Sequence, residues 1–295
     1  MNGLDKALEN YIESLKPVSS DNTLSAYRRD AETFVSYFVS ADKSEPDDIT
    51  EEDIAEYFAD QADNMSAASV TRRLSVVKGF YKYMLNAGIL TENRAADVKA
   101  SGFERKTPDI LSRTEVEKLL AQPDITDPKG IRDRAMLEVM YATGMRVTEL
   151  LDLRISDYVP RTKTIICSSA KRPRSFELYP IAAKCLGDYL KNSRQSFIKQ
   201  SSDCVYIFIN FNGERMTRQG FWKLLKYYAE ASGISNQISP HTLRHSFATH
   251  LLENGAEPRD VQELLGNRDG AAVKEYLNYI KSKAMGKAIK HHPRA

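Results

Sequence analysis

Residues 239–252 place two histidines and an arginine at a spacing that suits an anion. Pro240 favours a helix start, because the N–H that proline lacks would have no partner there. On this helix His241, Arg244 and His245 occupy positions i, i+3 and i+4, so they share one face. The positive end of the helix dipole adds to their charge. The segment therefore predicts an anion site, with phosphate as the first candidate. The opposite, apolar face contains Leu243, Phe247, Leu251 and Leu252.

Two other interpretations of this segment are an ordinary amphipathic helix with polar surface residues and a metal site. Short motifs of this kind often occur without a function. A zinc site of the H-E-x-x-H type needs a glutamate that is absent between His241 and His245. Arg244 would also repel a cation. We therefore expect no metal ion and no cofactor.

A second arginine, Arg146, occupies a position that local helix physics does not favour. In the stretch Thr143-Gly144-Met145-Arg146, either Thr143 or Gly144 can cap a new helix, which places Arg146 in the first turn. A cation in that turn opposes the helix dipole. A residue placed against local preference is a candidate for function.

The elements that must position these residues are helices with a few strands. Residues 163–168 and 176–179 favour β-structure and flank the basic sequence Ala170-Lys171-Arg172-Pro173-Arg174, which predicts a hairpin with a basic tip. A third strand is predicted at 205–209. Helices are predicted at 131–142, 218–232, 258–265 and 271–280, followed by a basic tail at 281–295.

Residues 1–98 show helical periodicity and predict a four-helix N-terminal domain. Residues 99–110 have no periodicity and contain Gly and Pro, so they predict a linker. The capping box from Ser112 to Glu115 then opens a second domain at 111–295. Two arginine pairs on separate N-terminal helices serve either solubility or phosphate contact in a groove. These pairs are Arg28-Arg29 and Arg72-Arg73.

Composition indicates a soluble globular protein of 295 residues with an uneven charge distribution. Residues 1–100 contain 11 basic and 18 acidic side chains, whereas residues 101–295 contain 31 basic and 22 acidic side chains. The second part is therefore able to hold a polyanion. Neither a secretory signal nor a membrane-length apolar run is evident. The three cysteines show no disulfide framework, so we expect a cytoplasmic protein.

Taken together, the motifs resemble the tyrosine recombinases, and most closely the bacterial Xer recombinases. The motifs are Arg146 in T-G-M-R-V-T-E-L, H-T-L-R-H at 241–245, and L-L-G at 264–266 followed by Tyr276. The segment 22–30 and the closing residues 292–295 also resemble Xer sequences. The resemblance implies a mainly α fold with a small β-sheet. It consists of an N-terminal four-helix SAM-like DNA-clamp domain and an α+β catalytic domain with a three-stranded antiparallel sheet.

The resemblance also implies a role for each residue in cleaving a phosphodiester without a metal ion. Tyr276 would be the nucleophile, although a tyrosine hydroxyl with a pKa of about 10 needs help at neutral pH. Arg146 and Arg244 would hold the non-bridging oxygens and stay charged throughout. His241 would accept the tyrosine proton, and Lys171 on the hairpin would protonate the 5′-hydroxyl leaving group.

Three departures from the family pattern leave alternatives open. The position after the L-L-G motif is Asn267, where the family usually has His or Trp, and an amide donates a hydrogen bond but cannot shuttle a proton. Arg172 competes with Lys171 for the hairpin position, and Tyr279 competes with Tyr276. We favour Lys171, because an arginine does not donate a proton at neutral pH, and Tyr276, because of its distance from the L-L-G motif. The residues expected to contact DNA are Arg28, Arg29, Arg72, Arg73, Arg172, Arg174 and His245.

The expected partner is a double-stranded DNA recombination site, bound by a homo- or hetero-tetramer on synapsed DNA. A second recombinase and a DNA translocase are open as further partners, and no membrane is expected. The expected role is Xer-like resolution of chromosome or plasmid dimers. The alternatives are an integrase or invertase of a mobile element, a topoisomerase-like enzyme, and a catalytically weak DNA-binding paralogue. Met285 and Ile289 form a small apolar stripe in the tail, which packs either on its own domain or on a neighbouring protomer. The family resemblance favours docking on a neighbouring protomer.

Overall fold

The computed structural model describes residues 2–62, 65–99, 109–168, 173–198, 204–234, 238–266 and 270–289, and only the backbone of 62, 67, 68 and 285–289. The chain divides into two compact units, residues 1–106 and 107–295. Lys171, Arg172 and Asn267 lie outside the described residues, as do most of the predicted linker and the side chains of Met285 and Ile289.

The first unit contains the four predicted helices, so that prediction is confirmed. Asn2, Ser20 and Ser66 cap three of them by accepting a backbone N–H with their side chains. Aromatic rings fill much of the interior, including Phe34, which meets Tyr57 and Tyr81 edge to face. The helices are α1 (Gly3–Leu15), α2 (Asp21–Ser40), α3 (Glu51–Ala62) and α4 (Ala67–Asn86).

The second unit is built mainly from helices. They are α5 (Arg113–Ala121), α6 (Pro128–Thr143), α7 (Val147–Asp152), α8 (Pro180–Asp188), α9 (Arg218–Ala231), α10 (Pro240–Glu253), α11 (Pro258–Leu265) and α12 (Ala271–Ile289). Helix α8 was not anticipated from the sequence, and α12 extends well beyond the predicted end at residue 280. Within the described ranges, every helix is too short or too polar to cross a bilayer.

A three-stranded antiparallel sheet is present, but one of its strands differs from the prediction. The strands are β1 (Tyr158–Val159), β2 (Thr164–Cys167) and β3 (Arg174–Glu177), in the order β1-β2-β3. The third strand predicted at 205–209 is wrong. In that segment Tyr206 and Ile209 form only isolated bridges, and Ile207 and Phe208 are fully buried. Burial in the core, rather than pairing in a sheet, explains this apolar run.

Helices α10, α11 and α12 share a small apolar cluster that holds the tyrosine helix in place. Phe247 from α10, Val261 and Leu265 from α11, and Val273 from α12 pack around Tyr276. Of the apolar face predicted for 239–252, Phe247 belongs to this cluster, Leu251 and Leu252 pack against it, and Leu243 is buried in the main core of the second unit. The polar face of α10 presents His241 and His245 near the start of the helix.

Candidate active site

Arg146 is held by a glutamate that reasoning from the sequence overlooked. It stands just before α7, and its backbone N–H and its Nη1 donate to Glu149 Oε2 at 2.8 Å and Oε1 at 3.0 Å. The sequence prediction that Thr143 or Gly144 caps this helix and places Arg146 in its first turn is wrong, because Gly144 ends α6 and Arg146 is itself the cap of α7. The carboxylate in the first turn is that of Glu149, which interacts favourably with the positive end of the helix dipole and with the Arg146 cation. Glu149 is buried, whereas the Arg146 side chain remains 42% exposed. The R-x-x-E spacing of a capping box is the sequence signal that points to Glu149.

Arg244 is buried and joins the ends of two helices. Its Nη1 donates to the carbonyl of Gly144 at 2.6 Å, and its Nη2 donates to the carbonyl of Leu265 at 2.7 Å. Gly144 and Gly266 end α6 and α11 in the left-handed conformation. Carbonyl groups at helix C-termini carry partial negative charge, so they stabilise a cation there. Burial, and then the nearby Arg146, lower the pKa of Arg244 to about 10, which still leaves it charged at neutral pH.

Tyr276 lies beside the histidines of α10, with its hydroxyl 2.7 Å from His245 Nδ1. The tyrosine is only 2% exposed. Burial raises the pKa of Tyr276, whereas Arg244 acts in the opposite direction. Burial, and then His241 and Arg244, lower the pKa of His245 to about 4. His245 is therefore neutral at neutral pH, and in the tautomer that is protonated on Nε2 its Nδ1 accepts the tyrosine O–H.

His241 and the competing tyrosine differ in their relation to this pair. The ring of His241 lies 6.2 Å from that of His245, and desolvation, Arg244 and Arg146 lower its pKa. Tyr279 points elsewhere, with its ring 5.8 Å from Lys283 Nζ. The structure thus brings Tyr276, and not Tyr279, against His245.

Arg174 lies inside this site and not on the surface of the hairpin. Its side chain is 8% exposed, with Nη1 donating to the carbonyl of Leu264 at 2.6 Å and Nη2 lying 2.7 Å from Glu149 Oε1. The structure therefore gathers Arg146, Arg174 and Arg244 around one buried carboxylate and places Tyr276 beside them. Such a group is suited to an anion and has a tyrosine hydroxyl near it. Among the described residues, no three His, Cys, Asp or Glu side chains form a group suited to a metal ion.

The arginines of the first unit have different surroundings. Arg29 is exposed, and Arg28 pairs with Glu9 while staying partly exposed. Arg72 makes a two-point contact with Asp30 at 2.7 and 3.0 Å, and its side chain is 53% exposed. Arg73 is buried instead.

The buried Arg73 side chain contacts other side chains within the first unit. Its Nη1 donates to the Tyr57 hydroxyl at 3.0 Å and to Gln61 Oε1 at 3.2 Å, and its Nε lies 3.7 Å from Asp30. A side chain that connects α3 to α4 in this way has little freedom to reach a phosphate.

Comparison with known proteins gives consistent matches over both units. The sequence pattern of the phage integrase family matches residues 109–283, and that of the phage integrase N-terminal SAM-like domain matches residues 8–88. A protein named tyrosine recombinase XerD from Listeria innocua is 38% identical over 279 residues, 94% of each chain. The protein of the same name from Oceanobacillus iheyensis is 37% identical over 99% of this chain and 100% of its own.

Solved structures match the same fold. The crystal structure of XerA recombinase is 27% identical with a TM-score of 0.55, covering 99% of this chain and 100% of its own. A crystal structure of XerH recombinase bound to its palindromic difH substrate, a post-cleavage complex, has a TM-score of 0.75 at 21% identity. It covers 90% of this chain and 79% of that one. At that identity the XerH match bears on the fold alone.

The buried contact between His245 and Tyr276 predicts a dependence of stability on pH. An unfolded histidine titrates near 6.5, while the folded pKa of His245 is about 4. The unfolded chain therefore binds more protons in this window, so the contribution is complete above pH 6.5 and is lost as pH falls toward 4. His245→Asn keeps a polar partner for the tyrosine hydroxyl but does not titrate.

We expect the free energy of unfolding of wild type to fall relative to that of His245→Asn as pH drops from 7 toward 4, because only wild type takes up a proton at this position on unfolding. Chemical denaturation at several pH values measures this, and every other titrating group is common to both proteins. A constant difference over this range would contradict the assigned titration of His245.

Proposed function

The chain belongs to the phage integrase family and is a site-specific tyrosine recombinase of the Xer type, and on that premise we propose that Tyr276 cleaves DNA through a 3′-phosphotyrosyl intermediate. The observation that carries this proposal is the position of the Tyr276 hydroxyl against His245, beside buried Arg244. Arg146, with a partly exposed side chain, offers a second guanidinium to the same anion.

The reaction exchanges one phosphate ester for another. The tyrosine oxygen bonds to phosphorus and the bond from phosphorus to the 5′-oxygen breaks, while Arg146 and Arg244 stabilise charge on the non-bridging oxygens. Each preorganised donor of this kind contributes about 3 kcal/mol. His241 accepts the tyrosine proton, and Lys171 donates one to the departing 5′-oxygen. A 5′-hydroxyl of another strand reverses the step, because the ester bond is conserved.

Asn267 has a supporting part in this proposal. Its amide donates a hydrogen bond to the phosphate and moves no proton. Of the two basic residues at the hairpin tip, Lys171 is the acid and Arg172 contacts DNA.

DNA binding is proposed to involve both units, with 1–98 as a clamp domain, 99–110 as a linker and 111–295 as the catalytic domain. The positive balance of residues 101–295 supports this. In the first unit we assign phosphate contacts to Arg28, Arg29 and Arg72, which keep exposed side chains. Arg73, also expected from the sequence to contact DNA, is assigned a positioning role because it is buried.

The biological role we propose is resolution of chromosome or plasmid dimers in the cytoplasm, where the DNA substrate lies. The near-complete coverage of relatives named XerD supports this role over that of a mobile-element integrase. The active form is a tetramer on two synapsed sites, because exchange requires four strand cleavages. A partner recombinase and a DNA translocase fit this scheme as further partners.

The nucleophile is tested by a pair of matched tyrosine variants. The recombination site is first identified by trapping the wild-type protein covalently on genomic DNA. The substrate is then a nicked suicide duplex that carries this site. Tyr276→Phe is expected to abolish the covalent adduct and keep DNA binding, since only the attacking oxygen is lost. Tyr279→Phe is the control and is expected to cleave normally, also in excess EDTA. Adduct formation by Tyr276→Phe but not by Tyr279→Phe would overturn the assignment.

The two neighbouring arginines of α4 predict opposite effects on DNA binding and stability. Arg72→Ala is expected to reduce affinity and to lower the slope of log affinity against log salt by ~0.9, as for one lost phosphate contact. Arg73→Ala is expected to keep the slope and to lower the melting temperature, because Tyr57 and Gln61 lose their partner. Equal salt slopes for wild type and Arg72→Ala would show that Arg72 does not contact phosphate.

Tail docking between protomers is tested by truncation. Deleting residues 282–295 is expected to keep half-site binding and to abolish recombination of DNA with two sites, because the protomers lose their link. The truncation also removes the ion pair between Lys283 and Glu253 within one chain, so Lys283→Ala serves as the control and is expected to recombine. Full recombination by the truncated protein would exclude the docking role.

A further inference from the structure

The side chain of Arg174 is buried in the site, but the proposed reaction assigns it no role. Arg174 is the first residue of β3, and its ring neighbour Phe176 lies 5.5 Å from the guanidinium carbon. Its Nε and Nη2 have no hydrogen-bond acceptor among the described residues, although Nη2 forms an ion pair with Glu149. A buried donor without a partner costs about 1–3 kcal/mol. The side chain is therefore held in place by its other contacts, against a local cost.

The first of those contacts is the ion pair with Glu149. Oxygen Oε1 of this carboxylate lies 3.0 Å from Arg146 Nη1 and 2.7 Å from Arg174 Nη2. One buried negative charge is thus shared between two guanidiniums. Arg244 interacts electrostatically with all three of these side chains, because Arg146 and Arg174 lower the pKa of Arg244 and Glu149 raises it. Since arginines stay protonated, the three guanidiniums and one carboxylate retain a positive excess.

The second contact of Arg174 is with the end of α11. Arg174 and Arg244 each take one of two successive carbonyls, those of Leu264 and Leu265. Gly266 makes this approach possible, because a Cβ at that position would lie 2.7 Å from Arg174 Nη1. Arg174 therefore connects the hairpin that carries Lys171 to the turn that precedes Asn267 in sequence.

We propose that Arg174 is a positioning residue that balances the charge of Glu149 and so leaves Arg146 available to the phosphate. With Arg146 as its only guanidinium partner, buried Glu149 would hold Arg146 in a one-to-one ion pair, and a phosphate oxygen would have to compete with it. With Arg174 present, Glu149 still orients Arg146 but neutralises only part of its charge. This inference rests on the proposed function, because the anion in question is the scissile phosphate.

The experiment is a double-mutant cycle on single-turnover cleavage of the nicked suicide duplex. Arg174→Gln is expected to slow cleavage at least ~10-fold, below the loss for a donor that touches the phosphate itself, with half-site binding little changed. Glu149→Gln removes the competing charge. Adding it to Arg174→Gln is therefore expected to restore most of the lost rate. Arg174→Lys keeps the charge and is expected to cleave faster than Arg174→Gln.

The outcomes separate this inference from simpler explanations. A double variant at least as slow as the product of the two single losses would overturn charge balancing, since a purely structural role gives no rescue. Wild-type rate in Arg174→Gln would overturn it as well. Rescue in the double variant excludes misfolding as the cause of the loss. If the wild-type protein forms no covalent adduct with DNA, the proposed function fails instead, whereas adduct formation with an unimpaired Arg174→Gln defeats only this inference.

A second substrate separates charge from shape. A methylphosphonate at the scissile position lacks one negative oxygen, so it competes less with Glu149 for Arg146 in any variant. We expect the ratio of rates on phosphate and methylphosphonate to change in Arg174→Gln relative to wild type. An unchanged ratio would show that Arg174 acts on the shape of the site only and would overturn the proposal.

Discussion

The catalytic unit depends on one buried guanidinium, that of Arg244. A charge removed from water is costly unless it is paired and hydrogen-bonded. Here the compensation comes from the ends of α6 and α11, whose last carbonyls accept from its two terminal nitrogens. Because the same two helix ends set the path of the chain toward α7 and α12, the contact that stabilises the charge also positions the segments that carry Arg146 and Tyr276. Stability and chemistry therefore rely on the same atoms.

Around Arg244 the site retains a net positive charge, and the repulsion between its arginines is reduced. Three guanidiniums close together repel one another, and Glu149 is the buried carboxylate that reduces this repulsion. Complete neutralisation would remove the attraction for phosphate, and no neutralisation would destabilise the fold. One carboxylate among three arginines lies between these extremes. The carbonyl groups at the helix C-termini also stabilise the cations, and they do so with fixed partial charges and not with a second full negative charge.

The parts of this site that sequence predicted are those built from neighbours along one helix. The shared face of His241, Arg244 and His245 follows from helical spacing alone. The contact between Glu149 and Arg146 was also predictable from the sequence, because the two residues are three positions apart. Contacts between distant segments were not predictable, since Arg174 meets a carbonyl 90 residues away and nothing in its hairpin indicates that partner.

Burial limited the prediction in two other places. Arg73 follows Arg72 in sequence, and only the packing of α3 against α4 shows that one is buried and the other exposed. The run at 205–209 has the composition of a strand because its residues are buried in the core, and composition does not distinguish these two cases. The fold as a mainly α chain with a three-stranded sheet was predictable, but the identity of the third strand was not.

The two histidines of α10 differ in what they offer to the tyrosine proton. His245 is the one in contact with the hydroxyl, yet its conjugate acid has a pKa of about 4, while burial raises the pKa of Tyr276 above its ordinary value of 10. Transfer of the tyrosine proton to His245 is therefore unfavourable, which leaves His245 the part of orienting the hydroxyl. In the proposed mechanism proton transfer therefore falls to His241, which lies on the same helix face with Arg244 and Arg146 near it, and orientation of the hydroxyl falls to His245.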